Sequence, residues 1–356
     1  MKYFNKIISY TSLSLFFLIV FTASSSAQEE EKVDKGITIS PLIIEYDVDP
    51  GETVSGQIRI SNSTLSDKTI FVYVENFQSD GVSGVPVFNT QDLPYEASLK
   101  EWISLEQTSF FVQRAEDSED KSALVNFSIT IPQNAEPGGH YAGIISTLQN
   151  PDDRQAPGAG NLSFSSDQGT LILLNVSGDV QRDISIDKFY SSSPFDADQK
   201  KKSIFDWMPV GLVVELNNTG NSHTTPLGSI IIYKGDSKVD ELEFNTNEGK
   251  ILKDSSRVFV NEFSEGFIKY SPVLDENDNP IKKENGDIDK KLTFESGQGL
   301  FAFGKYRAEL TVGYQDGDEY KSVMAETSFW VIPWKLILIL IAIISAYIWF
   351  KIKKKK

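Results

Sequence analysis

The 356-residue chain contains no cysteine. That absence excludes disulfide staples, thiolate metal sites and cysteine nucleophiles, so an exported portion must hold together through its core alone. Histidine is nearly missing as well, since His140 and His223 are the only two. Neither stands in a HExxH or GxSxG frame, and two imidazoles about 80 residues apart cannot share one metal without a tight interdomain site. Carboxylates abound, but nothing in their spacing singles out a glycosidase pair. No residue is therefore assigned as catalytic or cofactor-binding: the chain reads as a non-enzyme, with no cofactor expected. A further absence is helical periodicity. Away from the two hydrophobic ends, no segment sustains a 3.6-residue period over more than two turns.

What the sequence does have begins with its ends. Lys2 and Lys6 precede an apolar run over Leu13–Phe21, and Ser25-Ser26-Ala27 offers the small-residue pattern of a cleavage site. Residues 1–27 are thus predicted to be a signal peptide. At the other end, 331–350 is apolar apart from Pro333 and Lys335. At about 1.5 Å per residue this run spans roughly 30 Å, a bilayer's hydrocarbon thickness. Trp330 and Trp334 flank one side, and Tyr347 and Trp349 the other, as interfacial aromatic belts do. Lys335 is expected to snorkel to the headgroups, and the basic tail 351–356 predicts a cytoplasmic end. These features predict a single-pass type I protein of the cell membrane, with the bulk of the chain extracytoplasmic.

The net charge of −16 is unevenly spread. Residues 1–27 hold two lysines, 334–356 hold six, and neither stretch holds an acid, which leaves −24 for the portion between them. Such a surface repels nucleic acid, which is excluded as a partner.

Within that portion the apolar residues alternate. Val54, Gly56, Ile58 and Ile60 follow period two, as do Val125, Phe127, Ile129 and Ile131. The same holds for Val210, Leu212, Val214 and Leu216, and for Tyr306 through Tyr314. This is the pattern of antiparallel strands with one face buried. Turn clusters such as DVDPGET, NAEPGG and YQDGDEY separate them. The fold class is all-β: two tandem Ig-like antiparallel β-sandwiches over 37–180 and 183–330, followed by a transmembrane helix. The first sandwich's opening strand is expected over 37–46, and another over 101–105. The short connection Gly178–Asp183 implies restricted motion between the sandwiches. Residues 150–160 and 275–291 read as long solvated loops.

Three features carry candidate chemistry. DENDNP places the oxygen ligands Asp275, Asn277, Asp278 and Asn279 in a row and is similar to the interdomain calcium motif of cadherins, lacking one residue before its proline. These four residues are the calcium candidate, although Pro280 and Gly286 break an EF-hand pattern. Asn62, Asn126, Asn161, Asn175 and Asn217 head Asn-X-Ser/Thr triplets. LNNTGNSHTTPLG (216–228) holds His223 and reads as a turn between strands, in which Gly220 permits a positive φ and His223 meets a carbonyl or water.

ITISPLIIEYDVDPGETVSGQIRISNST together with NAEPGGHYAGIIST resembles the first domain of WxL-interacting-type bacterial cell-surface proteins, and more distantly the periplasmic pilus-chaperone sandwich. ELNNTGNSHTTPLGSIIIY followed by GKILKDSSRVFVNEF is similar to the second domain of the same proteins. The resemblance implies a peptidoglycan-associated first domain and a second domain that meets partner or host proteins. The function expected is a membrane-anchored extracellular binding or adhesion protein that presents two sandwiches to a cell-envelope or protein partner. The alternative is an assembly chaperone or accessory subunit of a surface-polymer or export system.

Overall fold

The computed structural model describes residues 36–88, 93–114, 121–151, 167–294 and 300–354. The expected signal peptide, Asn161 and nearly all of the 150–160 loop lie outside them. The described chain is built of strands, a helical turn and one long helix.

The first sandwich faces two sheets. One has the order β1 (Ile37–Ser40), β3 (Thr53–Asn62), β8 (Lys121–Thr130) and β6 (Ile103–Leu105). The other runs β2 (Ile43–Val48), β10 (Gln168–Val176), β9 (Gly138–Thr147), β4 (Lys68–Ser79) and β5 (Pro86–Phe88), with β7 (Ser109–Val112) also on β4. The alternation explains the core: Ile58, Ile60, Val125, Phe127 and Ile129 are all buried between the sheets.

The expected single strand over 37–46 is two strands. The chain crosses from one sheet to the other at Ser40–Pro41, and β2 then lies parallel to β10. Proline has no N–H for a ladder, and a strand commonly breaks there. The region expected as a strand over 101–105 opens with a helical turn, α1 (Leu99–Trp102). Side chains hold that turn: Asn76 Oδ1 accepts the Lys100 N–H at 2.9 Å, and the Trp102 indole donates to the Tyr95 carbonyl at 2.7 Å.

The second sandwich has a three-stranded sheet, β11 (Ile184–Ser192), β13 (Val210–Asn218) and β16 (Ser255–Phe263). Against it lies the order β12 (Ile204–Phe205), β20 (Glu319–Val331), β19 (Gly304–Asp316), β14 (Leu227–Lys234) and β15 (Ser237–Phe244). Val210, Leu212, Val214 and Leu216 pack on Tyr306, Ala308, Leu310 and Val312 in its core. A separate hairpin, β17 (Ile268–Pro272) with β18 (Lys290–Phe294), carries the acidic 275–291 excursion. That excursion is folded rather than loose. Bridges Leu274 to Pro280 and Lys282 to Ile288 make two successive tight turns.

Helix α2 spans Trp334–Lys353, three residues later than the expected 331–350. Val331 stays in the sheet, paired with Gly304 and Phe205, and Pro333 caps the helix start. It is the one helix among the described residues long and apolar enough to cross a membrane.

One device recurs in both sandwiches. Asn62 ends β3 and Asn218 ends β13, and both are fully buried. Asn62 Nδ2 donates to the carbonyls of Ser66, Val112 and Gln113 at 3.0, 3.0 and 3.1 Å, while its Oδ1 accepts the Thr64 N–H. Asn218 Nδ2 donates to Ser222, Ile251 and Leu252 at 2.8, 3.1 and 3.1 Å, while its Oδ1 accepts the Gly220 N–H. Each amide shapes its own turn and satisfies the end of a remote segment, the demand that any buried carbonyl makes. Asn218→Ala should cost about 2–3 kcal/mol and lower the thermal midpoint of the full chain in detergent by about 5–10 °C. Asn218→Asp, which retains the Gly220 bond but turns a carboxylate on three carbonyls, should cost more. A midpoint unmoved by both changes would remove the staple from the account.

Candidate functional site

The second sandwich sits on the outer face of the β2–β10–β9–β4 sheet, and the local sequence explains how. β9 is buried along its whole length, which a strand with one wet face would not be. Its opening, GGHYAG, carries glycine at 138, 139 and 143. At Gly138, with φ +110°, an added Cβ would stand 2.3 Å from the Asn221 carbonyl oxygen. The gap lets the turn 218–224 land directly on the sheet.

Asn221 is the centre of that landing. Its carbonyl accepts the Gly139 N–H at 2.8 Å and its N–H donates to the Gln181 carbonyl at 3.0 Å. Its side-chain Oδ1 accepts the Gln181 N–H at 2.8 Å, and its Nδ2 donates to the Asp179 carbonyl at 2.8 Å. One residue thereby ties both sandwiches and the segment that joins them. Ser222 adds a buried hydroxyl bond to Asn175 Oδ1 at 2.9 Å, and the Asn175 amide donates to Asp47. Asn62 and Asn175, two of the triplet asparagines, are thus committed to buried bonds.

The stretch 216–228 is a turn between strands, as expected, but His223 within it neither meets a carbonyl nor faces water. Its ring stands edge-on to Tyr141 at 5.7 Å. Its Nδ1 is buried without a partner, and Nε2 lies 3.6 Å from Glu45 Oε2, too long for a hydrogen bond. Glu45 Oε1 is held by Lys250 at 2.9 Å. Burial pulls the His223 imidazole below its ordinary pKa; Glu45 opposes that shift, and Lys250 and Arg182 reinforce it. His140 lies beside Trp102, ring centroids 4.6 Å apart, with its nitrogens at the Ala97 and Glu136 carbonyls, 3.1 and 2.8 Å away. Burial lowers its pKa too, against the pull of those carbonyls. His140 and Tyr141 point to opposite faces of β9, so the two histidines do not form one site.

Beside this network a cleft of about 250 Å³ opens between the sandwiches. Its floor is apolar, from Ile43, Phe77, Leu171 and Leu173, and its roof carries Lys250, Ile251, Leu252 and Arg257. One wall is the turn at 79–86, which reaches across to the second sandwich. There the Ser256 and Val258 N–H groups of β16 donate to the Gly81 and Val82 carbonyls at 3.1 and 2.8 Å. The edge of β16 is therefore covered by the protein's own chain, whereas β2, at the mouth of the cleft, pairs with β10 alone among the described residues. Leu42 and Ile43 beside that open edge are 66% and 47% exposed.

The calcium candidates lie elsewhere, on the β17–β18 excursion. Asp275 Oδ1 accepts the Asn277 and Asn279 N–H groups at 2.8 and 2.9 Å, and these bonds hold its carboxyl below the usual range. Asp278 adopts φ 61°. The carboxylate thus shapes a turn, and no cluster of three or more His, Asp or Glu side chains that could hold a metal occurs among the described residues. Lys335, expected to reach for headgroups, instead pairs with Asp206 at 3.0 Å and meets the Tyr270 hydroxyl at 3.5 Å.

No family model matches the chain, and no curated protein matches it. Among solved structures it is similar to the class 5 fimbriae chaperone CfaA, at 14% identity and a TM-score of 0.32, over 73% of this chain and 99% of that one. It is similar to the YadV chaperone, at 8% identity and a TM-score of 0.32, over 83% and 100%. A chaperone–tip subunit complex of Csu pili from Acinetobacter baumannii matches at 12% identity and a TM-score of 0.31, over 82% and 97%.

Two outcomes test the interface. Gly138→Ala should unseat the turn and make the Gly178–Asp183 segment at least about tenfold more sensitive to limited proteolysis, with strand content unchanged; equal sensitivity would count against the landing. Both histidines are disfavoured as cations in the folded state and titrate near about 6.5 when unfolded. The histidine contribution to stability is thus fully present above that pH and is lost as the pH falls through it. His223→Gln should flatten the change of urea midpoint across this window, below which Asp206 and Asp316, held low by Lys335 and Lys321, take over. An unaltered slope would assign the loss to other groups.

Proposed function

We propose that the chain is a single-pass membrane protein of type I topology that binds a protein partner without chemistry, holding an extended segment of it in the cleft between the sandwiches. The anchoring part is supported by α2 and by the lysines at 351 and 353–356 that close the chain. The binding part is carried by one observation: β2, which among the described residues is paired on one side alone, runs beside an apolar floor roofed by Lys250 and Arg257. A segment laid along β2 would gain main-chain hydrogen bonds from the edge and side-chain burial from the floor. The two cations would suit an acidic residue or a terminal carboxylate.

This geometry favours the accessory or assembly-chaperone reading, in which the partner is another exported protein of the same cell. The binding and adhesion reading shares the surface but expects a wall polymer or foreign protein, as the resemblance to WxL-interacting-type proteins implies. A photo-crosslinking amino acid at position 43, in the full chain in the cells that make it, separates them. An adduct with an exported protein of the same cell is expected. Leu171→Asp should reduce its yield about tenfold, the effect of losing a buried contact. Position 124, on the outer face of the other sheet, should give none. Equal adducts at 43 and 124, or indifference to Leu171→Asp, would reject the cleft.

A further inference from the structure

The strand end nearest α2 carries apolar surface that is exposed among the described residues. Ile204 pairs with Trp330, and Gly304 with Val331, so Ile204, Phe303 and Trp330 stand level with the end of β20. Their exposures are 59%, 51% and 45%, and Phe267, its ring tilted against Phe294 at 5.8 Å, is 40% exposed. Only Ile332 and Pro333 separate this surface from α2. The connection is short and pinned: the Ile332 N–H donates to the Phe205 carbonyl at 2.8 Å, and Lys335 is held by Asp206 and Tyr270.

Next to it lies a concentration of lysine that is unusual in so acidic a chain. A cavity of about 360 Å³ is lined by Lys200, Lys202, Lys283 and Lys290 together with Asp196, Asp198 and Asp287. Lys200 is paired with Asp198 at 2.7 Å, and Lys283 with Asp289 at 3.3 Å. Lys202 and Lys290 instead lie over rings: Lys202 is 5.0 Å from the centroid of Phe205, and Lys290 is 4.5 Å from Tyr270 and 5.1 Å from Phe195. Tyr270 is the residue whose hydroxyl meets Lys335, which places the Lys290 ammonium one ring away from the first turn of α2.

We propose that this end of the second sandwich is a lipid-contacting face: Phe267, Phe303 and Trp330 enter the interfacial layer of the outer leaflet, and Lys202 and Lys290 take the phosphates of anionic lipid headgroups. The inference rests on α2 spanning the bilayer. Continuity supplies the argument, because a helix that enters the membrane at Trp334 brings residues two to four positions upstream, and their sheet neighbours, to headgroup depth. Aromatic side chains favour that layer, and each lysine near an anionic surface adds to the attraction. The opposite end of β19 and β20, at Asp316–Glu319, lies about 40 Å away by strand rise and stays in water.

The absence of cysteine makes the test direct. Single variants Phe267→Cys, Phe303→Cys, Asp318→Cys and Ile343→Cys of the full chain, labelled with an environment-sensitive fluorophore, are placed in nanodiscs containing nitroxide lipids. Labels at 267 and 303 should be quenched at least about threefold more by a headgroup nitroxide than the label at 318, and the label at 343 by a deep acyl-chain nitroxide. Quenching at 343 without quenching at 267 and 303 overturns the lipid-contacting face and leaves the span intact; no quenching at 343 overturns the span itself. Quenching at 303 should be stronger in phosphatidylglycerol discs than in phosphatidylcholine discs. Lys202→Glu combined with Lys290→Glu should remove that difference. A difference that never arises, or that survives the double change, overturns the headgroup role of the lysines.

Discussion

The arrangement depends on the seat that Asn221 makes on β9. A side-chain amide and a main-chain peptide of one residue bind the first sandwich and both sides of the connecting segment, and Gly138 leaves the space that lets them do so. Asn221 is half-buried and its partners Asp179 and Gln181 are exposed, so the seat rests on four bonds converging on one residue rather than on exclusion of water. The cleft, the covered edge of β16 and the network of Glu45, Lys250 and His223 all presuppose that the turn is seated.

The treatment of sheet edges follows from the same seat. With the second sandwich in place, the turn at 79–86 reaches the edge of β16, while β2, among the described residues, is paired on one side alone and lies next to apolar side chains. Exposed edges invite indiscriminate pairing, and proteins commonly blunt them. Here one is blunted by the chain itself, and the other lies beside a shaped apolar floor.

Period-two alternation made the fold readable because strands such as β3, β8 and β19 have one buried face and one wetter face. Val210–Leu216 and Tyr306–Tyr314 are where that reasoning succeeds. It missed the break at Pro41, where the strand changes sheets, and the turn at Leu99–Trp102, which Asn76 and Tyr95 hold from outside it. The site was harder to see. β9 does not alternate, since the second sandwich covers its outer face, where Tyr141 meets His223, and the glycines of GGHYAG were a readable sign of close approach by another body. Nothing local in LNNTGNSHTTPLG marks Asn218 as turned inward and Asn221 as bridging outward. Their partners, at 251–252 and at 139 and 181, lie far off in sequence. His223 drew attention for its chemistry, yet its neighbour two residues before it carries the architecture.

The join between β20 and α2 has a mechanical consequence. Two residues, one of them proline, with an ion pair across them, give the strand and the helix little freedom to swivel independently. A lateral tug at the far sandwich is therefore delivered to the helix as torque. A partner held in the cleft would be felt as a lean of the anchor, as a mast transmits wind to its step.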